Sequence, residues 1–365
     1  MDIAYRQGAR RDWRAQAETP EDAFATHLQL VRHGVDARLA QLFEDKLDRA
    51  RLIGRPAFAA VAAASELAMR GGKRQRPAIL AAAYEACGGV GGPDAVVMAG
   101  VSLELLQTYF LIHDDWMDAS ETRRGGPSVH VLLAATFGGA HNGNAAAILA
   151  GDETCALAQE ALLDLPLPAE CILAAVRELS RIQQDVIAGQ LLDVDGASAD
   201  AESMEKMHDL KTGSYTVRGP LELGALLAGA TAAQHALLER FARPLGVAFQ
   251  LRDDLLGTFG DASVTGKPSY SDLAAGKRTA LVIELASDPE GRRLLKSVLG
   301  KSDAPEDEVQ ALLQRMIASG AKRRVEERIT GLVERAIAEL DRSSFTPRGR
   351  ALLVGAANAL AYRER

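Results

Sequence analysis

The stretch ELLQTYFLIHDDWMD, residues 104–118, decides how this chain of 365 residues folds. It contains no glycine or proline, and its apolar residues recur every three to four positions, which predicts an α-helix. Asp114 and Asp118 are one helical turn apart, so they share a face and their charges repel. A bound cation removes that repulsion, and carboxylates together with substrate phosphates are ligands that Mg²⁺ prefers. The pattern therefore predicts a magnesium site here, with a solvated acidic patch as the alternative.

A second helical run, GVAFQLRDDLLGTFGD at 246–261, carries Asp253 and Asp254 into apolar surroundings. Carboxylates in such surroundings need a partner. Lys267 follows in TGKP. This is not a Walker A loop, because Asp261 stands where that loop has its first glycine and Pro268 stands where it has Ser or Thr. Lys267 remains a candidate point charge for a diphosphate.

A third candidate is the basic stretch GGKRQRP at 71–77, which places three cations within four residues. Proline fits a first helical position, so we expect a helix to begin near Pro77. Arginine binds phosphate in a bidentate manner and lysine adds compact charge, so an acidic diphosphate is a suitable ligand. The alternative is a basic loop exposed to solvent.

The rest of the chain predicts an all-α protein. Alanine-rich runs such as Ala59–Leu67 and Glu222–Ala242 have helical periodicity, and strand-like alternation is scarce. No Pro/Gly/Ser linker divides the chain, so we expect one domain over 23–365. The polar residues 1–22 are expected to form a mobile tail and not a secretory signal.

Composition excludes several classes of function. The net charge of −7 disfavours nucleic acid as a partner, and no run of 18 apolar residues predicts a membrane span. Cys87, Cys155 and Cys171 lack CxxC spacing, which argues against disulfides and structural zinc and suits the cytoplasm.

Taken together, the motifs resemble those of the trans-isoprenyl diphosphate synthases, the polyprenyl synthetases, and in particular the short-chain farnesyl and geranylgeranyl diphosphate synthases. The resemblance implies a single large helical bundle with a central active-site cavity. Seven ordered landmarks carry it: GGKRQRP (71–77), LIHDDWMDASETRRGGPSVH (111–130), ILAGD (148–152), GQLLD (189–193), KTGSY (211–215), FQLRDD (249–254) and VTGKPSYSDLAAGKRT (264–279).

The resemblance also implies the roles of site residues. Three Mg²⁺ would bind between the aspartate motifs and the allylic diphosphate, held by Asp114, Asp118 and Asp253. Asp115 would be a further catalytic residue, and Asp254 would be a substrate-binding residue. Basic residues would clamp the allylic diphosphate (Arg123, Lys211, Lys267) or bind isopentenyl diphosphate (Lys73, Arg76, Arg124). Further substrate-binding residues would be Gln107, Thr212, Tyr215 and Gln250. Relatives are usually homodimers, so the resemblance implies a dimer.

One position departs from the family's pattern. The second aspartate motif often reads DDxxD, whereas the fifth position here is Gly257. Asp261 is four residues further on and could substitute through water, but the glycines at 257 and 260 favour an earlier end of the helix.

Product length is expected to depend on residues below the first aspartates. Phe110 is one turn before Asp114 on nearly the same face, so it should form a floor to the cavity. Tyr109 should point well away from Asp114 by the same geometry. Bulky residues at both positions resemble a short-product signature, which implies C15 or C20 products, with C15 favoured.

The resemblance leaves two alternatives. A class I terpene cyclase also ionises an allylic diphosphate with DDxxD, but it does not need Lys73 and Arg76. A non-catalytic regulatory subunit would be expected to lose the aspartates or the basic clamp, and this chain keeps both.

Overall fold

The computed structural model describes residues 19–90, 92–195, 201–260, 270–301, 303–341 and 344–363. Within these residues the chain is all-α, as predicted, apart from one short β-hairpin. The elements in chain order are α1 (Pro20–Ile53), α2 (Arg55–Met69), α3 (Gln75–Ala86), α4 (Gly92–Met117), β1 (Thr122–Arg123), β2 (Gly126–Pro127), α5 (Val129–Phe137), α6 (Ala140–Leu163), α7 (Ala169–Asp195), α8 (Ala201–His208), a π-helix (Asp209–Arg218), α9 (Gly219–Leu227), α10 (Ala232–Phe259), α11 (Ser271–Ala274), α12 (Ala280–Ala286), α13 (Pro289–Val298), α14 (Glu306–Ala318), α15 (Ala321–Leu340) and α16 (Pro347–Ala361).

Two helices begin earlier than the sequence suggested. Helix α1 begins at Pro20, three residues before the expected domain boundary, because the Thr19 hydroxyl caps it by accepting from the Asp22 N–H at 3.1 Å. Helix α3 begins at Gln75, so Pro77 lies in the first turn. Proline is tolerated there because the first N–H groups of a helix have no partner within it.

Helices α3 and α4 form the centre of the bundle. Nearly every residue of α3 is buried, and α4 packs closely against α6. Glycine at 224 allows α9 to approach α3, because a Cβ there would lie 2.9 Å from the Tyr84 nitrogen and closer still to the Leu80 carbonyl oxygen. This dense packing fixes the carboxyl end of α4, where the first aspartates lie.

By length and composition, α4 alone among the described residues could cross a membrane, yet 67% of its most apolar window is buried inside the protein. A central helix of a bundle has the same composition, and α4 has that position here.

The hairpin after α4 is a tight turn. Arg124 and Gly125 both adopt positive φ, 52° and 75°, as a two-residue hairpin loop of the primed type requires. Arg70 holds the hairpin by donating to the carbonyl oxygens of Arg123 at 3.0 Å and Pro127 at 2.7 Å. Of the two consecutive arginines in this hairpin, Arg123 meets the end of α4 and Arg124 lies close to Gly72 in the basic stretch.

A buried ion pair joins α4 to the basic stretch. Arg74 pairs with Glu104, and both side chains are at most 3% exposed. Arg74 also donates to Asp36 at 2.8 Å and to the Ala68 carbonyl at 2.9 Å. Of the three cations in this stretch, Arg74 is therefore a structural residue.

Glu104→Ala should lower the free energy of unfolding by about 3 kcal/mol, because it leaves the Arg74 charge buried with a weaker set of partners. Urea unfolding measures this change. The control is Glu327→Ala, which breaks the exposed Arg323–Glu327 pair and should cost less than about 1 kcal/mol. Equal losses in the two variants would contradict the structural role of the buried pair.

Candidate active site

The first aspartates lie at the carboxyl end of α4, as predicted. The Asp118 N–H donates to the Asp114 carbonyl oxygen at 2.9 Å, which keeps the two residues one helical turn apart. Burial and the neighbouring charge of Asp114 raise the pKa of Asp118 above its usual value. The two carboxylates therefore repel each other in a partly dehydrated setting, which is where a divalent cation would be stabilising.

Two basic residues balance these carboxylates. Arg123 pairs with the fully buried Asp115, its Nε 2.7 Å from Asp115 Oδ1, and its Nη2 lies 3.6 Å from Asp114 Oδ2. Lys211 Nζ lies 3.4 Å from Asp114 Oδ1 and 2.6 Å from Asp193 Oδ2. Asp115 thus positions Arg123, and Lys211 bridges α4 and α7.

Asp193 is a site residue that the sequence reasoning did not assign. It lies in the GQLLD landmark on α7 and pairs with Lys211. Its charge also contributes to the raised pKa of Asp118. The landmark was the available signal, but only the packing of α7 against the π-helix shows that its acid meets Lys211.

Lys211, Thr212 and Tyr215 come from the π-helix. Segments of this kind are rare and often occur at functional sites, because the wider turn re-aims side chains that an α-helix would carry elsewhere. Glycine at 189 on α7 allows the close approach, since a Cβ there would lie 2.8 Å from the Lys211 Cα.

A cavity of about 470 Å³ opens beneath Asp114, between α4, α7 and the π-helix. Its wall is mostly apolar, as in a ligand pocket. It brings together many of the predicted residues with several that were not predicted: Arg76, Gln107, Tyr109, Phe110, Leu111, His113, Asp114, Met117, Val186, Ile187, Gln190, Leu191, Val194, Lys211, Thr212 and Tyr215.

Tyr109 and Phe110, the two residues expected to limit product length, both line the cavity. The Tyr109 ring packs edge-on against His113, with centroids 4.6 Å apart, and Phe110 packs edge-on against Tyr215 at 5.1 Å. Because α7 and the π-helix complete the wall, two adjacent positions of α4 can border the same space.

Several buried polar atoms at this site have no hydrogen-bond partner among the described residues. They are Arg76 Nε, Asp115 Oδ2, Gln190 Nε2 and the Tyr215 hydroxyl. Tyr215 is 5% exposed, and burial raises the pKa of its phenol well above the usual value. Unpartnered buried polar groups are uncommon and costly, so their concentration here indicates that a polar ligand completes the site.

The predicted isopentenyl diphosphate residues form a basic cluster beside the cavity. Arg76 stacks on the Tyr215 ring at 4.1 Å and donates to Thr216 Oγ1 at 3.0 Å. Burial and the nearby cations Arg74 and Arg76 lower the pKa of Arg124. Lys73 is exposed at the edge of this cluster. Crowded cations of this kind are stabilised by an anion.

The second aspartates do not line this cavity. Asp253 pairs with Arg363, whose guanidinium also stacks on the Phe249 ring at 3.8 Å. Arg252 holds the same terminal segment by donating to the Arg363 carbonyl oxygen at 2.7 Å. A cation at Asp253 would have to share or displace the Arg363 contact. Lys267 lies outside the described residues.

Asp254 and Gln250 border a separate cavity of about 260 Å³ on the other side of the π-helix. The Gln250 amide donates to Asp254 Oδ1 at 3.0 Å. Burial raises the pKa of Asp254 from 3.8 to about 6, with smaller contributions from Asp272 and Asp253. This carboxylate is therefore costly to ionise where it lies.

The residues at the end of α4 fit Mg²⁺ by their chemistry, since they offer hard carboxylate oxygens. Within the described ranges, however, no three acidic, histidine or cysteine side chains converge to hold a metal by themselves. A cation would therefore take its other ligands from a substrate and water, as Mg²⁺ commonly does.

Asp254→Asn should stabilise the metal-free protein increasingly as pH rises. The folded state holds the Asp254 proton more tightly than the unfolded chain does, so the wild type loses stability between about pH 4 and pH 6. The variant cannot ionise, and its advantage in the free energy of unfolding should grow by on the order of 3 kcal/mol by pH 7. Urea unfolding across this pH range measures it. Replacement of the exposed Asp164 by Asn should show no such trend. If the difference in free energy of unfolding between Asp254→Asn and the wild type does not change with pH, the raised pKa is contradicted.

Comparison with known proteins agrees with this site. Residues 59–316 match the family model described as polyprenyl synthetase. The (2E,6E)-farnesyl diphosphate synthase of Mycobacterium tuberculosis is 37% identical over 260 residues, covering 69% of this chain and 68% of that protein. The geranylgeranyl diphosphate synthase of Methanosarcina mazei is 34% identical over 275 residues, covering 74% and 80%.

Solved structures give the same result. Geranylgeranyl pyrophosphate synthase from Corynebacterium glutamicum, complexed with isoprenyl diphosphate and magnesium, has a TM-score of 0.81 and 34% identity over 94% of this chain and 99% of that chain. The chain we describe belongs to the polyprenyl synthetase family.

Proposed function

We propose that this protein is a Mg²⁺-dependent short-chain prenyltransferase. It condenses isopentenyl diphosphate with an allylic diphosphate (dimethylallyl, geranyl or farnesyl) to give all-E farnesyl or geranylgeranyl diphosphate and inorganic diphosphate. The observation that carries this proposal is the cluster of Asp114, Lys211 and Arg123 at the mouth of a deep apolar cavity. The charged mouth suits a diphosphate and the apolar interior suits a prenyl tail.

The side chains of the cluster divide the work of binding the allylic diphosphate. Lys211 and Arg123 donate to its oxygens, and Gln107 and Gln190 add amide donors. Bound Mg²⁺ would neutralise the charge that develops on the diphosphate as its bond to the allylic carbon breaks. Asp193 and Asp115 keep the two cations in place, so little reorganisation is needed when that charge develops.

The basic cluster suits isopentenyl diphosphate. Arg76, Arg124 and Lys73 bind its diphosphate, which directs its double bond at C1 of the allylic cation. The new carbon–carbon bond leaves a cation that loses a proton to the released diphosphate. His113 is not needed as a base, because the diphosphate accepts this proton. The Nε2 atom of His113 is already in a hydrogen bond with the Ile148 carbonyl oxygen at 3.1 Å.

Three further features belong to this proposal: a homodimer, three Mg²⁺ per site and a cytoplasmic location. Exposed leucines on α6, among them Leu149 at 66% and Leu163 at 55%, support an interface on that side of the bundle.

The direct test is incubation of the purified protein with Mg²⁺, isopentenyl diphosphate and each allylic starter, followed by sizing of the dephosphorylated products. A discrete C15 or C20 alcohol is expected. Cyclic hydrocarbons formed without isopentenyl diphosphate would identify a class I terpene cyclase, and the absence of any product would favour a non-catalytic subunit.

Asp114→Asn should abolish turnover, because it removes a carboxylate from the cation site and the partner of Lys211. A loss of at least about 100-fold in kcat is expected. Circular dichroism should show an unchanged helical fold, and Asp164→Asn serves as the control that keeps wild-type turnover. Retained turnover in Asp114→Asn would contradict the assignment of this residue.

Phe110→Ala should lengthen the products by at least one isoprene unit, because it removes a ring from the cavity wall. Chromatography of the dephosphorylated products measures the shift. Phe58→Ala, on α2 outside the cavity, is the matched control and should leave product length unchanged. An unchanged distribution in Phe110→Ala would show that this ring does not limit the chain.

A further inference from the structure

Helix α10 has a glycine, Gly257, where the second aspartate motif of the family often has its last aspartate. Gly257 follows Asp253 by one helical turn, so a side chain at 257 would lie on nearly the same face. A Cβ placed there would be 2.6 Å from Cγ of Asp272 and closer still to its Oδ2. The Asp272 carboxylate therefore occupies the space of the missing side chain.

The space above Gly257 lies on the side of the second aspartates. Because Cα–Cβ bonds in a helix tilt towards its amino end, a side chain at 257 covers the turn before it, which carries Asp253 and Asp254. Asp272 belongs to α11, a separate element, yet its carboxylate lies in that space.

Asp272 is also held in place. Lys277 Nζ lies 2.8 Å from Asp272 Oδ1, and the Lys277 N–H donates to the Asp272 carbonyl oxygen at 3.0 Å. The side chain is 14% exposed, whereas that of Lys277 is 52% exposed. The lysine thus fixes one carboxylate oxygen, and the other, Oδ2, is the atom over Gly257.

We propose that Asp272 supplies the carboxylate that Gly257 lacks, and that it acts with Asp253 in binding a divalent cation at the second aspartate motif. This inference rests on the proposed function with three Mg²⁺ per site, one of which the family resemblance assigns to Asp253. Carboxylates in contact with a metal's waters or ligands hold them in orientation, and their loss typically weakens metal binding. The candidate suggested by the sequence, Asp261, lies outside the described residues.

Two variants separate this role from simple packing. Asp272→Asn keeps the shape of the side chain and its place beside Lys277 but removes the charge. Asp272→Ala combined with Gly257→Asp removes the carboxylate from α11 and returns one to α10. Gly257→Asp alone would place two carboxylates in the same space, so it should lower the melting temperature of the metal-free protein.

The measurement is Mn²⁺ binding to the full-length protein in the presence of inorganic diphosphate, with free Mn²⁺ counted by electron paramagnetic resonance. Asp272→Asn should weaken one class of bound Mn²⁺ by about 10–100-fold. The double variant should recover most of that affinity, and Asp164→Asn should bind as the wild type does.

Unchanged Mn²⁺ affinity in Asp272→Asn would overturn the inference while leaving the proposed function intact. The inference is also overturned if Asp272→Asn loses Mn²⁺ affinity and the double variant does not recover it, because that result assigns Asp272 to packing alone. If the wild type binds no Mn²⁺ with diphosphate, the proposed function and the inference both fail.

Discussion

The site depends on the repulsion between carboxylates that the fold forces together at the end of α4. Asp114 and Asp115 lie in the last turn of the central helix α4, and Asp118 follows its end, held by the bond from its N–H to the Asp114 carbonyl oxygen. Arg123 and Lys211 offset part of this charge, and each is itself held by a further acid. Burial and the charge of Asp114 raise the pKa of Asp118 despite these two cations, and a bound divalent cation would offset the repulsion between the carboxylates.

This constraint explains why the neighbouring elements have unusual local geometry. The hairpin after α4 has two consecutive residues at positive φ directly after Arg123, the residue that pairs with Asp115. The π-helix re-aims Lys211 across to α7 and α4. The buried pair of Arg74 and Glu104 fixes the basic stretch against the same helix. The hairpin and the π-helix are thus tied to the acidic end of α4, and the buried pair is tied to the middle of the same helix.

Much of this could be predicted from sequence, because helical periodicity and the spacing of the aspartates are local properties. The all-α class, the family and the shared face of Asp114 and Asp118 were confirmed. The roles of Asp193 and Gln190 were not predicted, since they depend on how α7 packs. The place of Tyr109 in the cavity wall was left open, because helix geometry gives an angle and not the width of a cavity. The place of Asp272 beside Gly257 is a tertiary contact that no spacing encodes.

The central claim is that acids and bases from separate helices form one site that a divalent cation and a diphosphate complete together. The most direct test is thermal unfolding of the wild-type protein in three conditions: with Mg²⁺ alone, with inorganic diphosphate alone, and with Mg²⁺ and diphosphate together. A ligand that binds only the folded state raises the melting temperature. The claim predicts that the two together raise the melting temperature by more than the sum of their separate effects. Purely additive shifts, or no shift with both present, would contradict it.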